Sequence, residues 1–206
     1  MVSLALLSVF VPTFLLVSLT PGMCMTLAMV LGMTQGVRRT LWMMVGELVG
    51  VGLVAFAAGA GVAALMLRQP ELFALLKWLG GAYLGYLGVM MWRSRGRMAI
   101  SLERAGPPAA RGQLALQGLV TAVANPKGWA FFMALLPPFL DASRPLVIQL
   151  VALIAVILAI EFVCLLLYAT GGRTLRRLLG ESGKVRLLNR VAGTLMVGVG
   201  LWLALG

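Results

Sequence analysis

Residues 146–167 hold only two polar side chains, Gln149 and Glu161, in twenty-two consecutive positions. A run of that length is continuous rather than alternating, which excludes a transmembrane β-strand, and it suffices for a helix to cross the hydrocarbon core, which takes about 20 residues. Similar runs recur at about 4–34, 40–67, 70–92, 113–140, 145–170 and 187–205 once charge and Gly/Pro boundaries are read. Together they make 61% of the 206 residues hydrophobic, against about 45–50% in an ordinary soluble domain. The expected fold class is therefore an all-α polytopic membrane protein of six transmembrane helices, embedded in a lipid bilayer. The first run lacks a basic leader and exceeds a signal-peptide core in length, so it is expected to be a helix of the mature protein.

The formal charge of +11 would suggest nucleic acid in a soluble chain, but here the bases sit between apolar runs and no nucleic-acid partner is expected. Arg38 and Arg39 lie in the first loop, and Arg93, Arg95, Arg97, Arg104 and Arg111 in the third. Arg173, Arg176, Arg177, Lys184, Arg186 and Arg190 lie in or beside the fifth, whereas the even loops hold little beyond Arg68 and Arg144. The positive-inside rule then puts the odd loops in the cytoplasm and both termini on the far side. The polar linker 94–112 divides one transporter domain, 1–206, into repeat one (1–93) and repeat two (113–206). Each repeat has three spans, an odd number, so two homologous repeats must be inverted with respect to each other.

Both repeats carry proline deep in their first span: Thr20-Pro21-Gly22 in one and Asn125-Pro126-Lys127-Gly128 in the other. Proline removes one backbone donor and clashes with the carbonyl four residues earlier, so Val17 and Ala122 are expected to have freed carbonyl oxygens. Thr or Asn before Pro is also a helix-start signal, with the polar side chain as N-cap and Pro at the first helical position. The prediction is a broken first and a broken fourth helix. Backbone freed at membrane depth must face protein or a wet cavity. The restarted half-helices offer amides and a positive dipole end to a carboxylate, and freed carbonyls suit an ammonium. Thr20, Pro21, Gly22, Asn125, Pro126 and Lys127 are accordingly the candidate substrate-binding residues, for a small zwitterion.

Glu47 and Glu161 fall in the second span of each repeat. An acid there costs about 2.5–3.5 kcal/mol on insertion scales, so it faces the interior and is a functional candidate. Both are assigned to proton coupling, with Lys127 as an available partner. Tyr168 is equally an interfacial anchor or a site residue. The pairs Gly46/Gly50 and Gly81/Gly85 allow close helix approach, whether within the chain or in a homo-oligomer. Cys24 and Cys164 have no metal-like spacing and the chain has no histidine, so no metal, cofactor or catalytic residue is expected.

Several of these segments together resemble the LysE/RhtB family of bacterial amino-acid exporters along nearly the whole chain. They are SLTPGMCMTLAMVLGMTQGVRRT, VGELVG, LLKWLGGAYLGYLGVMMWRS, NPKGWAFFMALLPPFL and RLLNRVAGTLMVGVGLWLALG. The resemblance implies a secondary transporter, not an enzyme, exporting amino acids or close derivatives from a bacterial cytoplasm against protons; in the inner membrane, the termini placed by the arginine bias are then periplasmic. This chain departs from it at Met23 and Cys24, where a second proline and an asparagine are frequent, and at Glu47 and Glu161, where aspartate is common. An ion exporter using the two acids is the alternative, and a transmembrane thiol electron carrier a weaker one, since Cys24 has no cysteine counterpart in the fourth span.

Overall fold

The computed structural model describes residues 4–93, 109–141, 143–180 and 182–205, so most of the 94–112 linker lies outside the described residues. All regular structure among them is helical: α1 (Leu4–Leu19), α2 (Met23–Thr34), α3 (Val37–Arg68), α4 (Pro70–Arg93), α5 (Arg111–Val123), α6 (Pro126–Leu135), α7 (Leu146–Gly180) and α8 (Ser182–Leu205). A 3-10 turn at Pro137–Phe139 follows α6. Within α3 and α7, Val37–Ala64 and Leu146–Gly172 are long and apolar enough to cross a membrane, and α1 with α2 forms a third such element bent by 56° at its break. Three of the helices overrun their expected limits by three residues or more. Helix α3 starts at Val37 and α8 at Ser182, while α7 continues to Gly180, because the arginine-bearing flanks are good helix formers and simply extend the apolar turns.

The helices associate through glycine. A Cβ added at Gly46 would come within 1.8 Å of the Ala115 carbonyl oxygen, and one at Gly118 within 2.0 Å of that of Met43, so α3 and α5 cross backbone to backbone. Gly88 faces Gly193, and Gly200 faces Gly81 and Gly85, which joins α4 to α8 in the same manner. Gly32 meets Ala169, which joins α2 to α7. In lipid there is little hydrophobic gain from bringing apolar helices together, so close backbone approach and dispersion have to hold them, and small residues permit both. The glycine pairs thus serve packing within the chain, across the two halves.

These contacts sort the loops into two ends. At one end Arg39 Nη2 donates to the Ala109 carbonyl at 2.6 Å and the Ala109 amide to Gln35 Oε1 at 3.2 Å, which ties the first loop to the start of α5. Arg111 lies over the Trp42 ring beside them, and Gly172 of α7 meets Met33. At the other end Phe10 packs edge-on against Phe139, 4.9 Å between centroids, and Gly59 of α3 meets Leu136 and Leu150. Buried Gln149 closes the loop there, taking the Asp141 amide on Oε1 and donating from Nε2 to the Asp141 carbonyl, both at 2.9 Å. The Ser143 hydroxyl and amide, with Arg144 beside them, hold the exposed Asp141 carboxyl below its usual range.

Two separate apolar cores result. One, toward the 136–145 end, is phenylalanine-rich: Phe10, Phe14, Phe131, Phe132 and Phe139. The other, toward the basic end, is methionine-rich: Met25, Met29, Met43 and Met44, with Cys164. The breaks in the helices lie between them.

Candidate functional site

The two breaks are built differently. At the first, the Thr20 hydroxyl donates back to the Leu16 carbonyl at 2.9 Å, so Thr20 does not cap the next helix. The N-cap of α2 is Gly22 in extended backbone, and no side chain caps that first turn. Pro21 sits in the gap rather than at the first helical position. The Val17 carbonyl, expected to be free, accepts the Thr20 amide at 3.2 Å. What the proline does expose is the Leu19 carbonyl, and Tyr168 of α7, 3% exposed, donates its hydroxyl there at 2.7 Å. Tyr168 is therefore a support of the break rather than an interfacial anchor.

At the second break Pro126 is the first residue of α6, which suits its fixed φ and missing amide. The Asn125 carbonyl receives the Gly128 amide at 3.1 Å, and the Ala122 carbonyl receives that of Asn125 at 3.2 Å, so Ala122 is not free either. Trp129 Nε1 donates to the Val123 carbonyl at 2.9 Å. In both places a local three-residue turn and one aromatic donor serve carbonyls of the interrupted ladder, as backbone at membrane depth requires.

Both breaks open on one cavity of about 70 Å³. Its polar band is Ser18, Thr20 and Gly22 from the first break, Asn125 from the second, Glu47 from α3, Cys24 from α2 and Glu161 from α7. The two acids differ in setting. Glu161 accepts the Ser18 hydroxyl at 2.8 Å. Glu47 is 0% exposed, and no protein donor reaches either of its carboxylate oxygens in well-aligned geometry. The Cys24 thiol and Glu161 lie within electrostatic reach of it, and Asn125 Nδ2 donates to Cys24 Sγ at 3.9 Å. Glu47 arrives here because the glycines beside it, Gly46 and Gly50, let α5 close on α3 and bring the second break alongside.

Of the residues read from the sequence, Thr20, Gly22, Asn125, Glu47 and Glu161 meet at this cavity. Pro21 and Pro126 shape it through the backbone. The side chains of Pro126 and Lys127 lie outside the described residues, and with them the pairing foreseen for Lys127. Sequence reasoning missed Ser18 and the apolar lining from Phe14, Val51, Val54, Phe131 and Phe132. Ser18 had a legible signal, a hydroxyl one turn before a proline in an apolar run; the phenylalanines had none. Among the described residues no cluster of acids and cysteines is arranged to hold a metal ion.

A helical membrane protein whose two interrupted helices converge on a buried, carboxylate-bearing cavity falls in the class of membrane transport proteins. The chain belongs to the LysE type translocator family, which it matches over residues 15–206. It is 30% identical over 192 residues to the homoserine/homoserine lactone efflux protein of Salmonella typhimurium, covering 93% of this chain and 92% of that one. It is 27% identical to an uncharacterized membrane protein of Vibrio cholerae, covering 93% of each chain. A leucine efflux protein of Enterobacter sp. is 31% identical over 126 residues, covering 61% of this chain and 59% of its own. No solved structure gives a significant match.

Proposed function

We propose that the protein exports amino acids or close derivatives from the cytoplasm across the bacterial inner membrane by exchange for protons. The observation that carries this reading is the single cavity shared by both helix breaks and both acids, with the Glu47 carboxyl fully buried beside Cys24 and Glu161 and facing no cation among the described lining residues. An acid in a low-dielectric site holds its proton until a cation arrives, and then favours the carboxylate. A substrate ammonium entering from the cytoplasm would release that proton inward, and its departure on the far side would leave the acid to be reprotonated there. The uncapped first turn of α2, which borders the cavity, suits the substrate carboxylate. The efflux relatives support amino acids as the cargo.

In this reading α1–α2 and α5–α6 are the broken first and fourth spans of six, and the chain is a pair of inverted repeats. Three observations support it. The first broken helix packs along α7 and the second along α3, while α4 packs on α8, so exchanging the halves exchanges the partners. The contacts of Arg39 with Ala109, Arg111 with Trp42 and Gly172 with Met33 gather the first loop, the start of α5 and this part of α7 at one end. The glycine contacts of α4 with α8 run antiparallel, Gly88 with Gly193 and Gly81 with Gly200, which brings the end of α8 to the other end.

The test is transport in proteoliposomes with an imposed pH gradient. Glu47→Gln should abolish proton-driven efflux while substrate exchange persists without pH dependence, and Glu161→Gln should weaken it less. Wild-type rates in both variants would rule out the carboxylate mechanism. Metal-ion efflux in place of amino-acid efflux would favour the ion-exporter alternative.

A further inference from the structure

The cavity is polar at the level of the breaks and strictly apolar beyond them. On the side of the 136–145 loop its wall is Phe14 of α1 and Phe131 and Phe132 of α6, with Val51 and Val54 of α3 completing it. The rings are mutually braced, with centroids 5.7 Å apart for Phe14 and Phe131, 6.2 Å for Phe14 and Phe132 and 6.0 Å for Phe131 and Phe132. Behind them Phe10 stacks on Phe14 at 5.8 Å and meets Phe139, so the wall is backed by packed core and cannot simply yield. The acids lie together at one level, in electrostatic reach of each other. An amino acid whose ammonium sits on that level therefore directs its side chain either to this wall or to the Cys24 and Met25 side, where the methionine-rich core begins.

We infer that Phe14, Phe131 and Phe132 are specificity-determining residues, which receive the substrate side chain and select uncharged aliphatic or thioether amino acids over basic and acidic ones. The inference rests on the amino-acid reading above. A glutamate side chain placed on this wall would bring its charge among rings and valines, and a lysine side chain would carry its ammonium there away from Glu47 and Glu161, the acids of the lining; such burial of an unpaired charge is strongly disfavoured. Branched aliphatic and thioether groups gain instead from the same surface.

The experiment is counterflow of radiolabelled leucine in proteoliposomes, competed by unlabelled leucine, methionine, lysine and glutamate. Methionine should compete about as well as leucine, and lysine and glutamate should require at least about tenfold higher concentration, the factor that corresponds to 1.4 kcal/mol. Phe131→Ala should erase most of that ratio and Phe131→Leu should keep it. In protein carrying Cys164→Ser, so that Cys24 is the one remaining thiol, leucine should slow maleimide labelling of Cys24 and lysine should not; this readout needs no change in the wall. Lysine or glutamate competing as well as leucine would overturn the assignment of the wall while leaving amino-acid transport intact. Absence of counterflow with every amino acid, together with no protection of Cys24, would overturn the transport reading itself.

Discussion

Replacing Gly118 by alanine tests the element that brings Glu47 and the second break together. The added Cβ would lie 2.0 Å from the Met43 carbonyl oxygen and 2.8 Å from the Glu47 amide nitrogen. Carbon and carbonyl oxygen rest at about 3.3–3.6 Å, so α5 and α3 must part by about 1.3–1.6 Å. Both opposing atoms are helix backbone, and no side-chain rotation relieves the clash. Overpacking of this kind costs about 1–3 kcal/mol, which at about 2–4 °C per kcal/mol lowers Tm by roughly 2–12 °C. Gly61→Ala is the matched control, since a Cβ there meets nothing within 4 Å; it should leave Tm unchanged or raise it through helix propensity. Thermal unfolding of both variants in one detergent, followed by tryptophan fluorescence, gives the comparison. Because the displacement falls at Glu47, the transport rate of Gly118→Ala should fall further than its folded fraction. Equal Tm and equal transport for the two variants would refute the backbone-to-backbone crossing.

Three other outcomes follow from the same geometry. Tyr168→Phe removes the donor to the Leu19 carbonyl and should cost about 1–3 kcal/mol in thermal unfolding, the penalty of an unsatisfied buried acceptor; an unchanged Tm would mean that another group already serves that carbonyl. Gln149→Leu should speed hydrogen exchange across residues 141–149 without altering transport, since its amide holds the loop and lies outside the cavity. Reporter fusions in the 94–112 linker and after Leu178 should read as cytoplasmic and those at Gly206 as periplasmic; a cytoplasmic C-terminus would remove the inverted-repeat arrangement.

Much of the site could be read from local rules. A proline inside an apolar run interrupts a helix wherever the chain is placed, because the missing amide and the ring clash belong to the residue itself. An isolated acid in such a run is driven away from lipid by its own solvation energy. Pro21, Pro126, Glu47 and Glu161 were thus legible one by one. Local chemistry could not say which group satisfies which. The sequence suggests Thr20 as a cap and Val17 as a free carbonyl; in the fold Thr20 turns back on Leu16, Val17 is served by the Thr20 amide, and Tyr168, on another helix, serves Leu19. The inequality of the acids, one held by Ser18 and the other with no well-aligned donor, arises from how α1 meets α7 and how α5 meets α3. The phenylalanine wall is the extreme case: Phe14 and Phe131 are unremarkable apolar residues in their own helices and become a surface only where the two broken helices meet. Helix, break and burial follow from energies that each residue carries with it, whereas partners and cavity shape depend on packing between residues on helices far apart in the chain, which only the tertiary structure decides.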